Sequence, residues 1–243
     1  MKLKEIIKDL PPGAKVLDVG CCGFTVVRMA HELGRTDIQH FGVDYCEPKE
    51  FPEGFTFRHA DLSKASVPYP DDEFDLVIAN HVIEHLAAPV EFFGDCLRVC
   101  KRGGLFFLAC PSERALFLPG FMFKWDHFSS SSFFDDPTHV GRPFSPQSLW
   151  RLARYYDSVP LHAGYYTSWL FRLTWPVLLP AALILRISWL YESIVTGCVG
   201  WSSYILAQKQ TAGKPNFHYF YPDNRYDDLL GRTLKKWKKF LRL

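Results

Sequence analysis

Residues 15–27, KVLDVGCCGFTVV, decide the reading of the fold. Lys15 to Val19 is a short apolar run of the kind buried on both faces of a parallel sheet. Gly20 to Phe24 reads as a turn, and Val26, Val27, Ala30 and Leu33 then recur at helical spacing until Gly34 stops the stripe. A strand, a turn and a helix in that order place the turn's backbone where a ligand can approach it.

Upstream, Leu3, Ile6, Ile7 and Leu10 predict an amphipathic helix across residues 1–10, ended by Pro11-Pro12-Gly13. Downstream come further short apolar runs: HFGVD at 40–44, FTFRHA at 55–60, FDLVIAN at 74–80 and GLFFLAC at 104–110. A helix enters at Pro89 with Phe92, Phe93, Cys96, Leu97 and Cys100 on its inner face, and Gly103-Gly104 leads into the next strand. Ser145-Pro146 reads as a cap and first turn for Leu149, Leu152, Ala153 and Tyr156, after which VPLHAGYY and SYILAQK can complete the sheet. Alternation of this kind predicts an α/β fold: right-handed crossovers, a mostly parallel sheet with helices on both faces, and ligand sites at the strands' carboxyl ends.

Length and composition agree with one globular unit. The 243 residues, 48% hydrophobic and 22% charged, suffice for one sizeable core. We read residues 1–210 as a single domain with aromatic-rich insertions at about 112–144 and 168–202, and 211–243 as a C-terminal extension. The seven cysteines are odd in number and form no Cys-x-x-Cys pair, which fits a reducing compartment. Cys96 and Cys100 fall on one helix face with no further ligands at compatible spacing, so no metal site is predicted. The amphipathic start takes the place of a secretory leader and predicts a cytoplasmic protein.

The formal charge is +2, yet Arg232, Lys235, Lys236, Lys238, Lys239 and Arg242 supply six positive charges in the last twelve residues. The remainder therefore carries a net −4, which disfavours nucleic acid as a partner.

Four successive strand ends carry polar groups: Asp18-Val19-Gly20, Asp44, Asp61 and Asn80-His81. A carboxylate in the place of Asp44 can accept both hydroxyls of a ribose, as acidic residues do in nucleotide-binding sheets.

In order and spacing these segments resemble the class I S-adenosylmethionine-dependent methyltransferases, in particular the small-molecule branch labelled methyltransferase domain type 11. VLDVGCCGF is similar to the family's first motif, GVD to its second, HADLSKASVPYPDDEFDLVIANHVIEHL to the third and fourth, and EFFGDCLRVCKRGGLFFLACP to the helix, turn and fifth strand. The resemblance covers 14–111 well and 135–157 loosely. It implies a Rossmann-like seven-stranded sheet with an antiparallel last strand, and S-adenosyl-L-methionine as cofactor. It further implies that Asp18, Gly20 and the backbone of Cys21, Cys22 and Gly23 hold the methionine part. Asp44 would bind the ribose, Asp61 and Leu62 would lie at the adenine, and Asn80 with His81 would line the floor beneath the sulfonium. The helix N-terminus after Phe24 would favour the cofactor's carboxylate.

The chain departs from the family pattern at Cys22 and Phe24, where glycines are usual, and at Arg102, where a proline is common. The side chain of Cys22 would crowd the cofactor unless the loop shifts so that Gly23 takes the strained backbone position. DDPTHVGRPFS, residues 135–145, resembles a segment that approaches the active site in related enzymes, and His139 is the predicted base. Glu84 and His85 read as structural, and Arg142 as a partner of Asp135 or Asp136. Trp125, His127 and the neighbouring phenylalanines read as a lid, and Ser129–Ser132 as a mobile loop.

These features predict methyl transfer to a small-molecule or lipid-linked acceptor, at oxygen before nitrogen or carbon. The competing expectation is a methyltransferase-like binding module that has lost catalysis. A nicotinamide dehydrogenase would want a Gly-x-Gly-x-x-Gly turn, which is absent. Leu230, Leu234, Trp237 and Leu241 amid the six basic residues predict an amphipathic helix suited to an anionic membrane surface. The uncharged run from 173 to 185 could dip beside it; at 13 residues it is shorter than the ~20 needed to span a bilayer.

Overall fold

The computed structural model describes residues 3–118, 122–124, 127–128, 131–210 and 215. The elements run α1 (Leu3–Lys8), β1 (Lys15–Val19), α2 (Thr25–Glu32), β2 (Gln39–Asp44), β3 (Thr56–His59), β4 (Phe74–Asn80), α3 (Pro89–Val99), β5 (Cys100–Pro111) and the short β6 (Met122–Lys124) and β7 (His127–Phe128). They continue with α4 (Pro146–Tyr155), β8 (Val159–Tyr165), α5 (Trp169–Ile184), α6 (Ser188–Val199) and β9 (Ser202–Gln208).

Seven strands form one sheet in the order β3-β2-β1-β4-β5-β9-β8. The first five run parallel, and β9 runs antiparallel to both neighbours, as expected. Strand order reverses at β1, which opens a crevice at its carboxyl end. The register Val19↔Val43 and Val19↔Ala79 sets the carboxyl ends of β2, β1 and β4 side by side.

Each face of the sheet has its own core. Phe93, Leu97, Phe106, Leu149 and Ala153 pack under α3 and α4. Ile6, Ile7, Val26, Ala30 and Leu206 pack under α1 and α2. Burying a residue of this size stabilises by about 1.5–3 kcal/mol, so the helical stripes read from the sequence account for both layers.

The Gly-Gly segment differs from expectation. α3 ends at Val99 and β5 begins at Cys100, so Cys100 is a strand residue and shares no helix face with Cys96. Pairing with β4 jumps from Phe74↔Cys100 to Leu76↔Leu105, which makes Gly103-Gly104 part of an irregularity within the strand rather than a turn before it. Gly103 holds φ +78 there, and Lys209 pairs with both glycines through Gly103 N–H to Lys209 O (2.8 Å) and Lys209 N–H to Gly104 O (3.0 Å).

Tyr165 lies in register with Ser203, and Pro111 with Ser202, so β8 ends at the same rim of the sheet as β5. The helical hairpin α5–α6 leaves from this rim. The other insertion meets it where Phe123 packs with Ala182, Tyr191 and Ile194, the Phe123 and Tyr191 rings 5.3 Å apart. Among the described residues no helix is long and apolar enough to cross a membrane. The predicted C-terminal helix, Trp125, Ser129 and Ser130 lie outside the described residues, as does the side chain of His127. Of the predicted loop's described residues, Ser131 is buried, and Ser132 caps the turn Phe133–Asp135, with Asp135 accepting its backbone N–H.

Candidate functional site

Asp18 and Asp44 face the crevice from adjacent strands, and both are buried. Each Asp44 oxygen accepts one backbone N–H, Oδ2 from Cys22 (3.1 Å) and Oδ1 from Cys46 (3.0 Å), so the carboxylate fastens the turn after β1 while keeping free lone pairs. Asp18 has no such help among the described residues. Burial, with the Asp44 charge adding to it, pushes its carboxyl up to about 8. Between them, Gly20 N–H donates to Val43 O (2.9 Å). Gly20 stands at φ +80, and a Cβ there would lie 2.5 Å from Val82 Cγ2, so this turn requires glycine for space and for conformation.

The left-handed position later in the turn falls on Phe24, not Gly23: Phe24 precedes α2 at φ 48, ψ 30. Its ring explains why a bulky residue is held there, since it packs edge-on against Phe55 (5.1 Å) and Phe51 (6.1 Å). Cys22 does not crowd the crevice. Its amide is on Asp44 and its thiol donates to Cys46 O (3.2 Å).

Two cavities open on this rim and share Gly20. One, of about 310 Å³, is lined by Asp18, Cys21, Gly23, Phe24 and Asn80. The other, of about 470 Å³, is lined by Asp44, Asp61, Leu62, His81 and His85. Asp61 follows β3 by two residues; Lys64 first, then Ser63, hold its carboxyl down to about 2.

His81 follows β4 in a left-handed conformation (φ 57), pinned by its N–H to Ala109 O (2.9 Å). A non-glycine residue held there often marks function. Its Nδ1–H donates to Glu84 Oε1 (3.0 Å), its ring lies 5.5 Å from that of Trp201, and Nε2 is 3.5 Å from Ser202 Oγ. Glu84 is buried in the turn Ile83–His85, and its Oε2 has no hydrogen-bond partner among the described residues.

His139 sits behind this cavity wall. Its side chain is 8% exposed, Nδ1–H donates to Phe133 O (2.7 Å), and its ring packs on Phe133 and His85. Glu84, His85 and His139 offer potential ligand atoms within 4.8 Å of one another, the one set among the described residues that could hold a metal ion. Arg142 does not pair with Asp135 or Asp136: it lies over the Phe144 ring (4.9 Å), while Asp135 accepts from Ser131 and Ser132 and Asp136 from Thr138. Those short-range backbone donors satisfy both carboxylates before a distant guanidinium can compete.

Sequence reasoning missed Tyr166, which lines the smaller cavity, and Trp201, which stacks on His81. Neither is near the motifs in the chain, and only the return of β8 and β9 brings them in. Glu84 as the partner of His81 had a signal, the three-residue spacing on one turn.

Residues 17–108 match a family model described as a methyltransferase domain. A chain named as an S-adenosylmethionine-dependent methyltransferase of Mycolicibacterium smegmatis is 33% identical over 114 residues, 44% of this chain and 42% of that one. A ubiquinone biosynthesis O-methyltransferase of Rhizobium leguminosarum is 31% identical over 107 residues, 40% of each chain. The chain thus spans about two fifths of the length of these curated relatives. The solved S-adenosylmethionine dependent methyltransferase from Mesorhizobium loti shares the fold, with TM-score 0.55 at 17% identity over 84% of this chain and 96% of that one.

Proposed function

Because residues 17–108 match a methyltransferase-domain family model, we propose that this chain is an S-adenosylmethionine-dependent enzyme that transfers a methyl group to an oxygen of a small-molecule or lipid-linked acceptor. The observation that carries this reading is the rim of Asp18, Asp44, Asp61 and Asn80 around Gly20, with cavities on both sides of that glycine.

S-adenosyl-L-methionine fits this rim. A buried carboxyl with no donor, Asp18, suits the ammonium of the methionine part, and the open lone pairs of Asp44 suit ribose hydroxyls. Asp61 and Leu62 would flank the base, and Asn80 the sulfur. When bound, the sulfonium supplies an activated methyl for in-line displacement. The protein's own task is then to orient an acceptor and keep water out.

We assign the proton acceptor to His81 rather than His139. His81 lines the larger cavity and Glu84 holds its Nδ1–H, so the lone pair lies on Nε2, 3.5 Å from Ser202 Oγ, whereas His139 is packed behind His85. Oxygen as the methylated atom draws support from the ubiquinone O-methyltransferase relatives.

A second reading, a binding module without transfer, is favoured by the non-glycine Phe24 in the left-handed position beside the smaller cavity. Calorimetric titration with S-adenosylhomocysteine, paired with Asp44→Ala, separates the readings when followed by transfer of labelled methyl to lipid-linked sugars and phenols. Binding lost in the variant together with turnover upholds the enzyme; binding without turnover on any acceptor favours the module. No binding at millimolar ligand would sink both.

A further inference from the structure

We infer that the α5–α6 hairpin is a bilayer-docking element, lying in the boundary between headgroups and acyl chains of an anionic phospholipid membrane. The inference is independent of methyl transfer.

A helix in a water-soluble protein normally buries one apolar stripe and exposes a polar face. α5 does not. Of its 16 residues Ala182 alone is buried, while Leu173 is 70% exposed, Val177 73%, Ile184 79% and the following Leu185 66%. No charged residue lies between Arg172 and Arg186. Trp169 (75%), Trp175 (48%) and Trp189 (67%) stand exposed along the same hairpin, and indoles favour the headgroup level, where a ring can be half wet.

The occupant follows from what this surface lacks. A protein partner is met with about one hydrogen bond per 100–200 Å². From 173 to 185 the only side-chain hydroxyl is that of Thr174, and it already donates to Leu170 O (2.8 Å). The run therefore has almost nothing directional to offer a second copy or another protein and suits a fluid apolar phase. The exposed Arg172 and Arg186 bracket it with positive charge, the complement of anionic headgroups.

Depth is limited by two prolines. Pro176 and Pro180 lie inside α5 and deprive the carbonyls of Arg172 and Pro176 of helical partners. Unpaired carbonyls are costly in hydrocarbon but harmless where water reaches, so the hairpin lies flat, about 5–10 Å deep, and does not cross.

Its attachment gives the placement a purpose. The hairpin springs from the rim that carries the cavities, its base closed by Ser168 N–H to Gly197 O (2.8 Å), and Tyr166 just before it lines the cavity that holds Asp18. An acceptor anchored in the bilayer would present its head at that rim.

The test is flotation of the 243-residue chain with vesicles of phosphatidylcholine alone and of phosphatidylcholine mixed with phosphatidylglycerol. A variant carrying Leu173→Ser, Val177→Ser and Ile184→Ser changes exposed side chains only. The expected result is binding to the anionic vesicles, a loss of about tenfold or more in the triple variant, and unchanged thermal unfolding and S-adenosylhomocysteine affinity in that variant. Brominated acyl chains should quench tryptophan fluorescence, and less so after Trp169→Phe and Trp189→Phe. Equal binding by the triple variant would assign any membrane affinity to another segment and overturn the inference, as would a stable dimer that fails to float.

Discussion

Glu84 Oε1 lies 3.0 Å from His81 Nδ1, a buried carboxylate fixing the ring of a half-exposed histidine at the end of β4. Because the carboxylate only accepts, the His81 tautomer is set and Nε2, 3.5 Å from Ser202 Oγ, carries the lone pair that can take a proton. His81→Ala should lower the rate of methyl transfer by about 10²–10⁴-fold while S-adenosylhomocysteine affinity stays within a few fold. Glu84→Gln should shift the pH–rate profile as well as the rate. Single-turnover kinetics across pH would check both, and a full rate in His81→Ala would return the assignment to His139.

Asp18 titrates near 8 because burial, and then Asp44, oppose its charge. A cationic ligand would favour the charged form, so its binding should release up to one proton at pH 7. Affinity should therefore rise with pH toward 8 and level off above it. Calorimetry at pH 7 in buffers of different ionisation enthalpy reads the released proton directly, and Asp18→Asn should abolish it. For the free protein the sign is opposite to that of a paired aspartate. A folded pKa raised above the unfolded value of 3.8 costs stability as pH rises from about 4 to 8, so Asp18→Asn should raise Tm at pH 8 and leave it nearly unchanged at pH 4.

Gly20→Ala places a methyl 2.5 Å from Val82 Cγ2 at a φ of +80. We expect a destabilisation of about 1–3 kcal/mol and a loss of S-adenosylhomocysteine binding of about tenfold or more. Adding Val82→Ala removes the clash but not the strained backbone, so it should restore binding only in part. Urea unfolding and titration on the same samples would show it.

Lys209 is almost fully buried, and its ammonium donates to Asp72 Oδ1 (2.8 Å), Arg98 O (2.8 Å) and Cys100 O (2.7 Å). Lys209→Met should cost about 2–4 kcal/mol in urea unfolding, because two carbonyls lose a charged donor at the start of β5. Cofactor affinity should change little, since the contact lies at the opposite end of the strand from Pro111.

The cofactor half was legible because its signals are local. Lys15–Val19, the turn at Gly20 and the stripe of Val26, Val27 and Ala30 lie within one short stretch, and each is set by chain geometry. What escaped notice depends on distant partners. Phe24 bends into the left-handed position because Phe51 and Phe55 receive its ring, and Gly103-Gly104 becomes a strand irregularity because Lys209 arrives beside it. Trp201 reaches His81 through a strand that returns from the far side of an insertion. The exposed apolar face of α5 was visible only as a run of hydrophobic letters, since sequence does not say which of them a core will claim.

The chain leaves the sheet at Tyr166 and rejoins it at Ser202, and a single 2.8 Å hydrogen bond from Tyr166 N–H to Ser202 O marks the gate. A short turn at that gate would join β8 to β9 as an ordinary hairpin. The 35 residues from 167 to 201 are in this sense a cassette set between two paired strands. Such a chain can inherit a new cellular address or a new clientele of acceptors by exchanging one segment, while the strand ends that face the cofactor keep their own history.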